Sequence, residues 1–397
     1  MKKIKLSLIG SLMLLMLIFP RQLQLAKAII LFAILLIVII EISSGKRFKL
    51  NRHVLYFFFF YLVYAVYSSI VGLINNNPGV GPFAQLNILY YILLLPVVIS
   101  ISDTKDLMKM FNLLLLASLA ISVHSILTLL VTLGYWPIFL YVPFDATNGI
   151  QIHEGYIHIV NTNTSMLIIL VPISLLLIDK KVVSKKLLYF VIAISLTAIL
   201  ISGRRILWLS AGISILMVLL MSIRKNKKSI FALTLIGISV FVYFASEDLI
   251  DVKSIITRLT SAFIGEEGDI RYDQMRYLYS GFLSNPIFGS GAGIGTEYVR
   301  NQDYPWMYEA SYHLILFNAG ILGSLFFWTS IIFIFIGYFE GKFDLKMKYL
   351  ATCILIIVLL ANSTNPYFTS SFDFIIMILI PLMILNTSKI NTIIINK

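Results

Sequence analysis

LLYFVIAISLTAILISGRRILWLSAGISILMVLL, residues 187–220, places two adjacent arginines, Arg204 and Arg205, between two long apolar runs. A hydrocarbon core about 30 Å thick needs about 20 apolar residues per helix, so the stretch reads as a helix, a short polar turn and a second helix in a bilayer. The same pattern recurs along the chain. Of its 397 residues 59% are hydrophobic and only 13% charged, against roughly a quarter charged in soluble proteins. Twelve apolar segments lie near residues 4–19, 27–43, 54–74, 84–101, 108–133, 164–178, 187–201, 206–223, 229–245, 312–338, 349–364 and 371–386, and some of them are short. None alternates with the period of two that a membrane barrel needs. The fold class is therefore an all-α polytopic membrane protein of about twelve transmembrane helices, one integral membrane domain over residues 1–397. The N-terminal MKKIKLSLIGSLMLLMLIFP also resembles a signal peptide, with AKA at 26–28 as a cleavage site, but basic and bulky residues follow the apolar run directly, which favours a retained helix.

Charge sets the expected orientation. Alternating the segments from a cytoplasmic MKKIK gathers 22 of the 31 Lys and Arg residues, and both termini, on the inner side. Nineteen of those 22 are Lys, whereas seven of the nine outer cations are Arg: Arg21, Arg204, Arg205, Arg258, Arg271, Arg276 and Arg300. Positive charge alone would orient the chain. Arginine adds a planar fork that binds phosphate or carboxylate through two parallel hydrogen bonds. The net charge of +12 is spread over short inner loops, which makes it an orientation signal rather than a nucleic-acid surface. The single cysteine, Cys353, excludes a disulfide framework and a multi-cysteine metal site.

Two outer segments are long enough to hold a site. Residues 134–163 are aromatic and polar, with His153, Glu154 and His158, and residues 246–311 form the one large hydrophilic, periplasmic loop. Within it GDIRYDQMRYLYSGFLSNPIFGSGAGIG reads as a short amphipathic helix, with Arg271, Met275, Leu278 and Phe282 at helical spacing, stopped by Asn285-Pro286 and followed by a compact glycine loop. That loop is no dinucleotide fingerprint, since no strand precedes it; a tight turn back to the membrane fits better. His313 then stands at the mouth of the tenth segment.

Arginine near hydrocarbon costs about 3 kcal/mol, so Arg204 and Arg205 should face a water-filled cavity or an anion, or else snorkel as interface anchors. A second arginine source in the loop and a histidine on the returning helix suit an anionic headgroup on a lipid tail. Tyr272, Tyr277, Tyr298, Tyr304, Trp306 and Tyr308 offer flat surfaces for sugar rings, although a membrane-interface aromatic belt has the same composition. Glu309 or Asp303 would serve as a base or as an arginine partner.

The succession of SGRR at a helix boundary, R-x14-PIFGSGAGIG in an outer loop and YHLILFNAGILGSLFF opening the next helix resembles the O-antigen ligase and Wzy-type polysaccharide polymerase superfamily, over roughly residues 195–335. The resemblance implies glycan transfer from undecaprenyl diphosphate at the outer face of the bacterial inner (plasma) membrane, without metal or nucleotide cofactor and without nucleic acid. The acceptor would be another lipid-linked repeat unit in a polymerase, or lipid A core, for lipopolysaccharide, in a ligase. A chain-length regulator and a flippase of the same pathway are the implied partners. Carried over, the diphosphate arginine falls on Arg205, where isoleucine and arginine stand in place of the family's glycine and serine and Arg204 is a substitute. The loop arginine falls on Arg271, and the histidine on His313, followed by Leu314 in place of asparagine. Catalysis is thus expected of His313, Arg205 and Arg271, and substrate binding of Arg204, Arg276, Arg300, Tyr272, Trp306 and Glu309. A flippase or transporter would instead carry ionisable residues and broken helices at mid-membrane in two matching halves, which the sequence does not display.

Overall fold

The computed structural model describes residues 1–137, 150–153, 156–159, 161–177, 184–222, 270–368, 371–388 and 392–395. Helix dominates them, and the strands make only two small two-stranded sheets. The helices are α1 (Lys2–Ile18), α2 (Gln24–Ser43), α3 (Arg52–Ile74), α4 (Val80–Ser100), α5 (Thr104–Thr132), α6 (Leu167–Leu176), α7 (Lys185–Ile201), α8 (Arg205–Ser222), α9 (Ile270–Ser284), α10 (Ser311–Glu340), α11 (Leu345–Thr364) and α12 (Ile376–Asn386). Eleven of them fall on apolar segments of the sequence, and α9 is the amphipathic helix of the large loop. The ninth apolar segment, 229–245, lies outside the described residues.

Among the described residues, six helices are long and apolar enough to cross a membrane: α2, α3, α4, α5, α10 and α11. The expectation of about twelve crossings meets a physical limit at α6 and α12. With 10 and 11 residues and a rise of 1.5 Å per residue, the α-helical part of each spans about half of a bilayer core, so the count of twelve is not shown there. The described side chains of both are buried all round, so they fill the centre of the bundle instead of facing lipid. That is where a helix that is apolar on every face belongs. Each is entered through a 3₁₀ turn (Asn163–Met166 and Asp373–Ile375), and each carries proline at its sixth position, Pro172 and Pro381.

The loops sort into two ends of the bundle. At one end β1 (Phe48–Asn51) pairs antiparallel with β4 (Thr392–Ile395), Lys2 meets Asp106 at 2.7 Å, Glu41 joins Lys5 and Lys46, and Arg52 meets Glu340 at 2.9 Å. At the other end Ala292 N–H donates to Ser68 O at 2.9 Å, Gly79 N–H to Gly293 O at 2.9 Å, and Asn163 Nδ2 to Ile18 O at 3.3 Å. These are the two sets of loops that the charge pattern separates. Here too the buried Asp373 at the head of α12 takes hydrogen bonds from Lys27 Nζ, from Gln24 Nε2 at 2.9 Å and from Arg21 N–H at 2.8 Å. A buried carboxylate persists only with partners of this kind. In the smaller of the two long loops β2 (Ile150–His153) pairs with β3 (Tyr156–Ile159), a hairpin the sequence reading did not foresee. It carries His153 and His158; Glu154 lies outside the described residues.

Candidate functional site

The site is positioned by a break in α10. Gly320 has φ +58° and ψ −165°, a conformation no side-chain-bearing residue adopts cheaply. Breaking a helix frees carbonyls on one side and amides on the other, and buried backbone groups must find partners. The glycine loop supplies all four. Ser290 and Gly291 donate to the carbonyls of Phe317 and Asn318 at 2.8 and 2.9 Å, while Ile321 and Leu322 donate to those of Pro286 and Ile287 at 2.8 and 3.2 Å. A Cβ on Gly320 would overlap Ile287 O, and one on Gly291 would overlap the backbone of Gly72 in α3. PIFGSGAGIG and FNAGILG are therefore two halves of one backbone clip. The tight turn read from the sequence is real, and it locks the large loop into the helix bundle.

The clip fixes α9. Leu278 and Met275 pack against Tyr308, Ala310, Leu314 and Phe317, the apolar face that the helical spacing anticipated. The buried Gln274 accepts Glu309 N–H at 2.6 Å, which ties α9 to the residues just ahead of α10. Arg271 Nε donates to Glu309 Oε2 at 2.8 Å, and Arg300 Nη2 to Glu309 Oε1 at 2.6 Å. One carboxylate thus bridges two of the expected arginines. His313 sits one turn further along, half-buried in the first turn of α10, and among the described residues its ring has no hydrogen-bond partner.

The second approach comes from between α7 and α8. α7 ends at Ile201, Gly203 takes φ +66°, and Ser202 Oγ caps the amide of Arg204 at 3.3 Å. Arg204 is half-buried; its Nη1 donates to Ser165 Oγ and its Nη2 to Asn161 O at 3.2 Å. Both acceptors belong to the buried polar run Asn161–Ser165 at the head of α6. Tyr367, in the turn after α11, is buried within reach of Ser165. Burial pushes its phenol above the usual tyrosine range, and the charges of Arg204 and Arg271 oppose that rise while Glu309 adds to it. Tyr367 thereby feels the charge of both the α7–α8 arginine and the α9 arginine.

Residues 190–328 match a family model described as "O-Antigen ligase". Over this stretch the chain is similar to the O-antigen ligase/polymerase superfamily. The match runs from α7 through the break in α10, so Arg204, Arg271, Arg300, Glu309, His313 and both halves of the clip fall within it, whereas Asn161, Ser165 and Tyr367 lie outside it. No curated protein matches the chain.

The remaining expected site residues are dispersed along this stretch. Arg205 opens α8 and is half-buried, and Arg276 lies on the exposed face of α9, opposite Gln274 and Leu278. Tyr272 and Tyr304 are exposed, as is Tyr277, whose ring stacks on that of Tyr298 with centroids 5.8 Å apart. Trp306 packs its ring against Gly79, and Asp303 is exposed. Tyr308 is fully buried, its hydroxyl accepting Thr296 N–H at 2.6 Å and donating to Tyr298 O at 3.0 Å, so it holds the loop together and offers no face to a sugar. The residues the sequence reading missed, Asn161, Ser165 and Tyr367, had one legible sign: NTNTS is an unusually polar run to set directly before an apolar helix.

Proposed function

We propose that the protein is a repeat-unit polysaccharide polymerase, transferring glycan from undecaprenyl diphosphate to a sugar hydroxyl of another lipid-linked repeat unit at the outer face of the bacterial inner membrane. Two observations carry this reading, both in or beside the stretch that matches the family: Arg271 and Arg300 share the Glu309 carboxylate, and Arg204 reaches Ser165 near the buried Tyr367. A cluster with more guanidinium than carboxylate, at the end of an apolar bundle, suits a diphosphate whose tail stays in lipid.

In the proposed step the acceptor hydroxyl oxygen attacks the anomeric carbon from the face opposite the diphosphate. The carbon–oxygen bond to the diphosphate breaks, its electron pair leaves with the phosphate oxygen, and the configuration inverts. His313 accepts the hydroxyl proton. Arg204, Arg205 and Arg271 neutralise the charge that grows on the departing diphosphate; a donor of this kind is worth about 10²–10³ in kcat. Arg276 and Arg300 extend the positive surface, and Tyr272 and Tyr277 provide flat faces for sugar rings, with Trp306 at the rim. No metal or nucleotide has a role in this scheme.

The description of the matching family favours a second reading, ligation of the glycan to lipid A core. The two share donor chemistry and differ in acceptor. Arg205-Ile206 in place of an arginine–glycine step and Leu314 after His313 favour the polymerase. Deleting the gene and separating the lipid-linked glycans on a gel tests both. Single repeat units on the final acceptor support the polymerase; free polymer that never reaches lipid A core supports the ligase; unchanged glycan rejects both.

A further inference from the structure

Glu309 stands where an anion would. Its two carboxylate oxygens are taken by two separate guanidiniums, Arg271 Nε at 2.8 Å and Arg300 Nη2 at 2.6 Å, charge-assisted hydrogen bonds that phosphate oxygens also accept. Its backbone is anchored separately, through its N–H to Gln274 Oε1 at 2.6 Å, so the side chain can swing without shifting the start of α10. The bridge is accessible: the side chains of Arg271 and Arg300 are 43% and 40% exposed and that of Glu309 17%. Two partly exposed ion pairs are held weakly enough to exchange. Among the described residues, Glu309 is the carboxylate that these two guanidiniums share.

We propose that Glu309 is a specificity-determining residue, an internal counter-anion that the donor's diphosphate must displace from Arg271 and Arg300 and that returns to them when the diphosphate leaves. This rests on the diphosphate-donor reading above. Displacement selects for an anion able to engage two guanidiniums at once, so a diphosphate competes with Glu309 where a phosphate monoester does not. The return of Glu309 speeds release of the polyprenyl diphosphate product, which carries more charge than the donor and would otherwise remain bound.

The test measures binding of inorganic pyrophosphate and inorganic phosphate to the full-length protein in lipid nanodiscs, for the wild type, Glu309→Gln, Glu309→Asp and Arg271→Ala. Loss of the competing charge should tighten pyrophosphate binding to Glu309→Gln about ten-fold and narrow its preference over phosphate. Glu309→Asp, whose shorter side chain keeps the charge, should fall between Glu309→Gln and the wild type, and thermal unfolding of each variant checks that it is folded. Pyrophosphate binding that is unchanged or weaker in both folded Glu309 variants overturns the proposal, as a carboxylate that merely positions the arginines would produce. Arg271→Ala separates the two levels: weakened pyrophosphate binding there sustains the diphosphate reading whatever Glu309 does, and unaltered binding overturns that reading itself.

Discussion

Arg204 and Arg205 are neighbours with different fates. Successive residues at a helix start point about 100° apart, so one arginine turns toward the buried polar run at the head of α6 while the other opens α8. The pair was legible as an outer cationic turn because charge between two apolar runs has few explanations. Which of the two reaches Ser165 and Asn161 was not legible, since it depends on partners from a segment 39 and 43 residues away. The guanidinium serves two acceptors at once, a geometry lysine cannot reproduce. Arg204→Lys should therefore lower transfer activity at least ten-fold, by glycan analysis of complemented cells, with unchanged protein in the membrane. Full activity in Arg204→Lys would show that charge alone suffices at this position.

At the level of elements, hydrophobic runs located eleven helices, and helical spacing located α9 with its buried face. The break at Gly320 was invisible because the apolar helical pattern continues through FNAGILG without interruption. Only the partner loop shows why the helix stops and resumes: PIFGSG brings two amides and two carbonyls to the four backbone groups that the break leaves unpaired. Likewise α6 and α12 read as membrane segments from their apolarity, but that their described side chains are buried on every side was not legible, since it depends on the helices packed around them. Gly320→Ala should destabilise the protein by more than about 2 kcal/mol, from the left-handed backbone cost together with strained clip hydrogen bonds. Gly81→Ala, with open space around its Cβ and an ordinary φ, should be neutral. Thermal unfolding in detergent compares the two; equal stability would mean that the clip does not hold the loop.

Across the whole molecule, the loops assigned to one side by their charge meet one another in the structure, and so do those assigned to the other. That sorting was legible because lysine retention is a strong topological signal. The superfamily stretch supplies most of the arginines and the histidine, but the receiving wall, Asn161, Ser165 and Tyr367, comes from helices before and after it. Sequence reading centred on the large loop could not find a wall built by the bundle centre. The side of the membrane can be checked with a single-cysteine set, since the buried Cys353 is the chain's one cysteine and can be replaced by alanine. Cysteine placed at Gln302 should react with an impermeant maleimide in intact cells, and cysteine at Lys105 should not; the reverse pattern would put the site in the cytoplasm.

The central claim is that the arginines flanking Tyr367 drive departure of a lipid-borne diphosphate. Reconstitution of the purified protein in nanodiscs with a polyprenyl-diphosphate-linked repeat unit measures this directly, as release of polyprenyl diphosphate coupled to glycan extension. The wild type should release carrier and lengthen glycan in equal proportion, and Arg204→Ala and Arg271→Ala should each lose at least a hundred-fold in that rate while remaining folded. Wild-type rates in both variants would contradict the account.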